Sequence, residues 1–155
     1  FNNALFLLCL GHVYLLKTMF KSDIFHLHHS TYNLHVHLVF VTKYRRKVFT
    51  AQILNELNSI FTNVCNNLDC KLVEFDGEQD HVHLLILYPP KLAITILVNR
   101  LKGTSSYLIR KIKYPTIATK LWGDALWTPS YFAASCGGAP ISIIKQYIEN
   151  QNTPE

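Results

Sequence analysis

The chain has 155 residues, of which 49% are hydrophobic and only 16% are charged, and its formal net charge is +5. This length predicts one domain with a substantial core, and the apolar composition favours burial of further surface between subunits. The basic balance favours a polyanionic partner, and the absence of Cys-x-x-Cys spacing among the four cysteines predicts buried or free thiols in a reducing compartment.

Residues 1–29 are predicted to be an extension outside the domain. Their apolar run, residues 4–16, is too short to span a bilayer. It also lacks the preceding basic residue and the following small-residue cleavage site of a signal peptide. We therefore expect the domain to occupy residues 30–155, and we do not expect a membrane among its partners.

The first strand is predicted over residues 32–42, where apolar side chains alternate and one face is directed to the core. The other face carries His35 and His37. A basic loop, Lys43-Tyr44-Arg45-Arg46-Lys47, follows this strand.

The first helix is predicted to start after Thr50, which can cap it, and to run to about residue 68. Residues 71–75 predict a second strand, and Asp76-Gly77 predicts a turn. A third strand follows over residues 80–88 and is ended by two prolines.

The second helix is predicted over residues 92–113, with Gly103 as a weak point. Residues 127–134 are apolar and aromatic and predict a fourth strand. A glycine-containing break leads to a last helix that opens at Ala139-Pro140 and ends near Gln151.

The order of these elements predicts an α+β fold. The first six match a ferredoxin-like (RRM-like) β-α-β-β-α-β core with an antiparallel sheet, followed by a C-terminal helix that carries Tyr147. In this plan the first and third strands are central neighbours. Two helices cover one face of the sheet, and the other face is open.

His81 and His83 are two positions apart on the third strand, so both side chains project to the same face and can share a metal ion. The pair His35 and His37 has the same spacing, so spacing alone leaves open which pair binds metal. Asp80 and the apolar strand favour the second pair. A shared four-histidine zinc site remains an alternative.

Tyr147 and Gln151 are four positions apart on the last helix and therefore lie on one face. A phenol oxygen can attack phosphorus and form a covalent intermediate. The amide oxygen of Gln151 suits magnesium or manganese. The alternative for Tyr147 is a packing role in the core.

Basic residues occur in two places that could bind single-stranded nucleic acid. In the loop, Tyr44 offers a surface for base stacking among cations, although a solvated turn has the same composition. The second helix adds a diffuse basic surface. The candidate DNA-binding residues are Lys43, Tyr44, Arg45, Arg46, Lys47, Arg100 and Lys102.

Six segments in this order closely resemble the single-tyrosine HUH transposases of the insertion-sequence 200/605 family. The resemblance covers residues 30–151. The segments that carry it are residues 33–40, 43–49, 80–85, 101–103, 137–140 and 146–151.

The resemblance implies a cytoplasmic enzyme that binds hairpins in single-stranded DNA at the ends of a mobile element. It implies His81, His83 and Gln151 as ligands of Mg²⁺ or Mn²⁺, and Tyr147 as the nucleophile. It also implies a homodimer with active sites that can be composite, and no small-molecule substrate. His35 and His37 are not implied as ligands.

Two other functions remain open at this point. One is a domesticated relative that processes repeated hairpins without mobilising itself. The other is a non-catalytic module that binds single strands through Tyr44 and the basic loop.

Overall fold

The computed structural model describes residues 25–27, 30–121 and 125–135 of the chain. A small antiparallel hairpin, formed by β1 (Phe25–Leu27) and β2 (Ser30–Tyr32), lies in a separate compact unit, Phe1–Asn33. The sequence patterns do not predict this hairpin. The second unit, Leu34–Glu155, contains the elements that position the candidate site.

The second unit is an α+β structure with a four-stranded antiparallel sheet in the order β4-β5-β3-β6. The first and third predicted strands are central neighbours, as the ferredoxin-like plan requires. In chain order the described elements are β3 (His35–Val41), α1 (Ala51–Asn67), β4 (Lys71–Gly77), β5 (His81–Leu87), α2 (Ile94–Ile112), α3 (Pro115–Lys120) and β6 (Phe132–Ser135).

Helix α1 begins where the sequence predicts, because the hydroxyl of Thr50 accepts a hydrogen bond from the backbone N–H of Ile53 at 3.3 Å. Its buried residues recur at helical spacing and form one apolar face. They pack with the core-facing residues of β3 and β5 in one hydrophobic cluster, which also contains Trp127.

Gly77 allows α1 to approach the end of β4. A Cβ atom at this position would lie 2.6 Å from Cδ2 of Leu54 on α1 and 3.1 Å from Cγ1 of Val82. The close approach explains why the second strand ends in a glycine.

The second strand is longer than predicted. Asp76 and Gly77 were expected to form a turn, but they pair with His83 and Val82 in the β4–β5 ladder. The carboxylate of Asp76 accepts a hydrogen bond from the N–H of Gly77. The chain reverses beyond them, where the N–H of Glu78 donates to the carbonyl of His81.

The fourth strand begins later than predicted, because β6 starts at Phe132 rather than at Trp127. Trp127 forms an isolated bridge with Thr42. Between these two contacts, the carbonyls of residues 128–130 accept hydrogen bonds from the ammonium group of Lys102. Pro129 also has no N–H to donate to a ladder.

The second helix continues through Gly103 without a break and ends before Lys113, whose φ of 58° is left-handed. Helix α3, with Pro115 in its first turn, was not predicted. Among the described residues, no helix is long and apolar enough to cross a membrane. The predicted last helix, residues 139–151, lies outside the described residues.

Candidate metal and nucleic-acid site

His81 and His83 project from the same face of β5, as predicted from their spacing. Strand β3 pairs with β5 so that Val41 lies opposite His81 and Val39 lies opposite His83. This register brings a third histidine, His37, diagonally beside His83. The sheet therefore groups histidines from two central strands that are distant in sequence.

The histidine-bearing face was predicted to be open, but its central residues are buried. His37 is 0% exposed and His83 is 1% exposed, while His35 and Val39 are also buried. His81 is more accessible, with 17% of its side chain exposed. His81 and His83 therefore differ from histidines that are exposed to solvent on a strand edge.

Asp80 orients the imidazole of His81. Its Oδ1 lies 2.6 Å from Nδ1 of His81, and the Nε of Arg45 lies 3.8 Å from its Oδ2. A carboxylate can only accept this hydrogen bond, so the proton of the neutral imidazole is placed on Nδ1. The Nε2 lone pair of His81 is then available for a metal ion.

His83 has a different partner. Its Nδ1 lies 3.2 Å from Nε2 of His37, and the two ring planes are nearly parallel, with an interplanar angle of 6° and centroids 5.4 Å apart. The rings of His81 and His83 are nearly perpendicular, at 78°, with centroids 5.0 Å apart.

Burial keeps the two contacting imidazoles neutral. Desolvation, reinforced by the neighbouring His83, lowers the pKa of His37 from 6.5 to about 4. Desolvation, reinforced by His81, lowers the pKa of His83 to the same value, about 4. A neutral imidazole is the form that binds a metal ion, so His83 is ready to act as a ligand near neutral pH.

The two β5 histidines supply nitrogen donors for a divalent cation, and Asp80 supplies the hydrogen bond that such a ligand usually needs. Within the described ranges, no three His, Cys, Asp or Glu side chains converge on one point. The alternative four-histidine zinc site is therefore wrong, because His35 and His37 do not join the pair.

The basic loop presents Tyr44 to solvent. Tyr44 is 72% exposed, and its φ of 60° turns the chain sharply. Lys43 Nζ and Arg46 Cζ lie 5.4 and 5.8 Å from the ring centroid. The exposed ring and its cations suit a base and its flanking phosphates.

Helix α3 holds this loop in place. Arg46 Nη1 donates to the carbonyl of Lys120 at 2.6 Å, and Lys120 Nζ donates to the carbonyl of Lys47 at 2.9 Å. The hydroxyl of Thr42 donates to the carbonyl of Arg46. The loop is connected to the histidines through the contact between Arg45 and Asp80.

The two candidate DNA-binding residues of α2 differ in their surroundings. Arg100 is exposed, whereas the ammonium of Lys102 donates to three carbonyls at 2.5, 3.1 and 3.1 Å. Burial lowers the pKa of Lys102. The three hydrogen-bond donors of Lys102 are thus used within the chain. This structural contact is not revealed by the sequence.

Tyr147 and Gln151, the predicted nucleophile and third ligand, lie outside the described residues. Sequence reasoning also missed the contact of His37 with His83. The signal for it was present: alternation along the first strand, combined with central pairing of the first and third strands, brings their histidines together.

Comparisons with known proteins identify the family to which the chain is similar. Residues 30–151 match the family model described as "Transposase IS200 like". The chain is 33% identical over 124 residues to the ISDra2 transposase TnpA of Deinococcus radiodurans, covering 80% of this chain and 88% of that protein. It is 28% identical over 123 residues to the transposase for insertion sequence element IS200 of Salmonella typhimurium, covering 79% and 80% of the two chains.

Solved structures show the same fold. A crystal structure of a candidate transposase from Deinococcus radiodurans R1 matches with a TM-score of 0.65 and 30% identity, covering 84% of this chain and 100% of that chain. A REP-associated tyrosine transposase bound to a REP hairpin matches with a TM-score of 0.52 and covers 81% and 68% of the two chains. At 10% identity, the second likeness concerns the fold alone.

Proposed function

Because this chain belongs to the IS200-like transposase family, we propose that it cleaves and rejoins single-stranded DNA at the hairpin-bearing ends of an insertion sequence. The reaction passes through a 5′-phosphotyrosine intermediate. The observation that carries the proposal is the pair of histidines on β5, in which His81 is oriented by Asp80 and His83 is buried and neutral.

His81, His83 and Gln151 would hold a Mg²⁺ or Mn²⁺ ion. When bound, this ion would polarise the scissile phosphate and would offset the charge that develops on it. The contribution of the histidines is to bind in neutral form at fixed positions on a rigid sheet. Gln151 adds an oxygen donor that suits these cations.

Tyr147 is the proposed nucleophile. Its phenolic oxygen bonds to the scissile phosphorus, and the bond from phosphorus to the 3′ oxygen breaks. The phenolic proton is lost to solvent, and the leaving 3′ oxygen takes up a proton to become a 3′-OH. Attack of a 3′-OH on the phosphotyrosine then reverses the sequence and joins two DNA ends.

The basic loop is proposed to bind the single-stranded DNA. Tyr44 would stack on a base, while the side chains of Lys43, Arg45 and Lys47 would neutralise phosphates. Arg100 extends the basic surface. The proposed partner is DNA rather than a small molecule, and the cytoplasm stays the predicted location.

The protein is proposed to act as a homodimer with composite active sites. Mixing a His81→Ala protein with a Tyr147→Phe protein tests this arrangement. If the histidines of one subunit act with the tyrosine of its partner, the mixture regains activity that each variant lacks. An inactive mixture, with subunit exchange verified, would place each site within one chain.

The proposed reaction is tested by incubating the protein with single-stranded element ends and Mg²⁺. We expect a covalent protein–DNA adduct that resists denaturation and is absent with a chelator. Tyr147→Phe should abolish it, and Tyr107→Phe is the matched control because this tyrosine is 60% exposed. An adduct that persists in Tyr147→Phe contradicts the assignment.

Two outcomes would identify the other functions. Hairpin binding that is insensitive to His81→Ala, without any adduct, would indicate a non-catalytic binding module. Adduct formation on repeated hairpins that do not flank the gene itself would indicate a domesticated relative.

A further inference from the structure

His37 makes one contact that neither its spacing nor the proposed reaction explains. It is fully buried, and its Nε2 lies 3.2 Å from Nδ1 of His83. The two residues are separated by 46 positions and meet only because β3 and β5 pair in the observed register. The contact is therefore a product of the tertiary structure.

The position of one proton decides what this contact does. If His37 donates, the proton of neutral His83 lies on Nε2, and that nitrogen cannot bind a metal ion. If His83 donates from Nδ1, its Nε2 carries a lone pair. For His81, the carboxylate of Asp80 selects the tautomer that has its proton on Nδ1 and a lone pair on Nε2.

We infer that His37 is a positioning residue for His83: its Nε2 accepts a hydrogen bond from Nδ1 of His83 and thereby presents Nε2 of His83 to the metal ion. This inference rests on the proposed metal role of His83. His37 would thus orient His83 as Asp80 orients His81. Orientation of this kind is a common requirement of histidine ligands.

The surroundings of His37 permit this direction of the hydrogen bond. As acceptor, His37 must carry its own proton on Nδ1, and this buried atom has no hydrogen-bond partner among the described residues. Nδ1 is unpaired in either tautomer of His37, so this atom does not select the direction, and the proton position on His83 is the quantity to measure. The two ring planes are nearly parallel, at 6°, and the ring centroids are 5.4 Å apart, so the contacting nitrogens point towards each other nearly in the plane of both rings.

Two substitutions of similar size separate this role from simple packing. His37→Gln keeps a side-chain oxygen that can reach the position of Nε2, whereas His37→Met fills the space without a strong acceptor. Binding of Mn²⁺ is measured from the electron paramagnetic resonance signal of the free ion. We expect about 10- to 100-fold weaker binding in His37→Met and affinity close to wild type in His37→Gln.

A second measurement needs no metal ion. In histidine nitrogen–proton spectra of the metal-free protein, His83 should be the tautomer with its proton on Nδ1. It should remain so in His37→Gln and become a mixture in His37→Met. Thermal unfolding of both variants shows whether they fold, and His83→Gln assigns the signals.

Each result decides the inference. Equal Mn²⁺ affinity in His37→Met and wild type overturns it, as does equal weakening in both variants with an unchanged His83 tautomer. If the wild-type protein binds no Mn²⁺ at all, the proposed metal site fails. The tautomer then still decides the role of His37, because a wild-type His83 with its proton on Nε2 contradicts it.

Discussion

At the scale of single residues, Asp80 links the two parts of the candidate site. Its side chain contacts Nδ1 of His81 at 2.6 Å and Nε of Arg45 at 3.8 Å. Its backbone carbonyl accepts a hydrogen bond from the N–H of Thr42, which precedes the basic loop. One residue therefore positions a proposed metal ligand and contacts the proposed DNA-binding loop.

Replacing Asp80 by alanine should weaken Mn²⁺ binding about 10- to 100-fold, because His81 loses the acceptor that holds its imidazole. Asp69→Ala is the matched control, since Asp69 forms an exposed ion pair with Lys91. Titration with Mn²⁺ measures the effect. Unchanged affinity in Asp80→Ala would show that this hydrogen bond does not orient a ligand.

The reactivity of Cys65 and Cys70 reports how well the core is buried. Both are free and buried. Desolvation, with a smaller contribution from Cys70, raises the pKa of Cys65 from 9.0 to about 12. Desolvation, with a smaller contribution from Asp69, raises the pKa of Cys70 to about 11.

Because the thiolate is the reactive form, both cysteines should be alkylated at least about 100-fold more slowly in the folded protein than in denaturant near pH 8.5. Peptide mapping after iodoacetamide treatment reports each residue separately. The raised pKa of Cys65 also makes stability depend on pH. Its contribution to the free energy of unfolding is fully present below about pH 9 and is lost as the pH rises towards 12. Fast labelling of the folded protein would contradict the described burial.

At the scale of elements, the approach to β6 depends on α2. The ammonium of Lys102 on α2 donates to the carbonyls of Thr128, Pro129 and Ser130, while its Nζ lies 5.8 Å from the ring centroid of Phe40. These three carbonyls are satisfied by a side chain rather than by a neighbouring strand. The helix therefore fixes where the last strand joins the sheet.

Lys102→Met should lower the free energy of unfolding by about 1–2 kcal/mol, because it removes the charged donor and keeps the apolar stem. Lys91→Met is the control, since the exposed ion pair with Asp69 is worth less than about 1 kcal/mol. Urea unfolding measures both. A variant with wild-type stability but weaker hairpin binding would instead assign Lys102 to DNA.

At the scale of the whole molecule, the net charge of +5 acts together with the exposed aromatic of the basic loop. Charge contributes an affinity that depends on salt, because bound phosphates release counterions. Stacking on Tyr44 contributes an affinity that depends little on salt. The two contributions can therefore be separated by experiment.

Raising KCl from about 50 to 200 mM should weaken hairpin binding by about 20- to 40-fold if Lys43, Arg45 and Lys47 contact phosphates. Tyr44→Ala should lose about 1–3 kcal/mol of binding free energy without changing the salt slope. Fluorescence anisotropy measures both effects.

The control for Tyr44→Ala is Tyr107→Ala, because Tyr107 is also exposed and also lies near a cation, Lys111. Equal weakening in the two variants would contradict a specific stacking role for Tyr44. A changed salt slope in Tyr44→Ala would show that the substitution disturbs the neighbouring cations.

Much of the fold could be predicted because its signals are local. Alternation along residues 32–42 and the apolar run of residues 80–88, ended by two prolines, predict the two central strands, and Thr50 marks the start of α1. The predictions were wrong where a distant group decides the outcome. Asp76 and Gly77 extend β4 because β5 pairs with them, and β6 starts late because Lys102 occupies the preceding carbonyls.

The sequence by itself determined the order of the four sheet strands and of the two long helices, the common face of His81 and His83 and the resemblance to a transposase family, since each depends on residues close together in the chain or on their linear order. Only the tertiary structure decided which groups meet these histidines. His37 reaches His83 across 46 positions through the register of β3 and β5, and that register depends on long-range pairing.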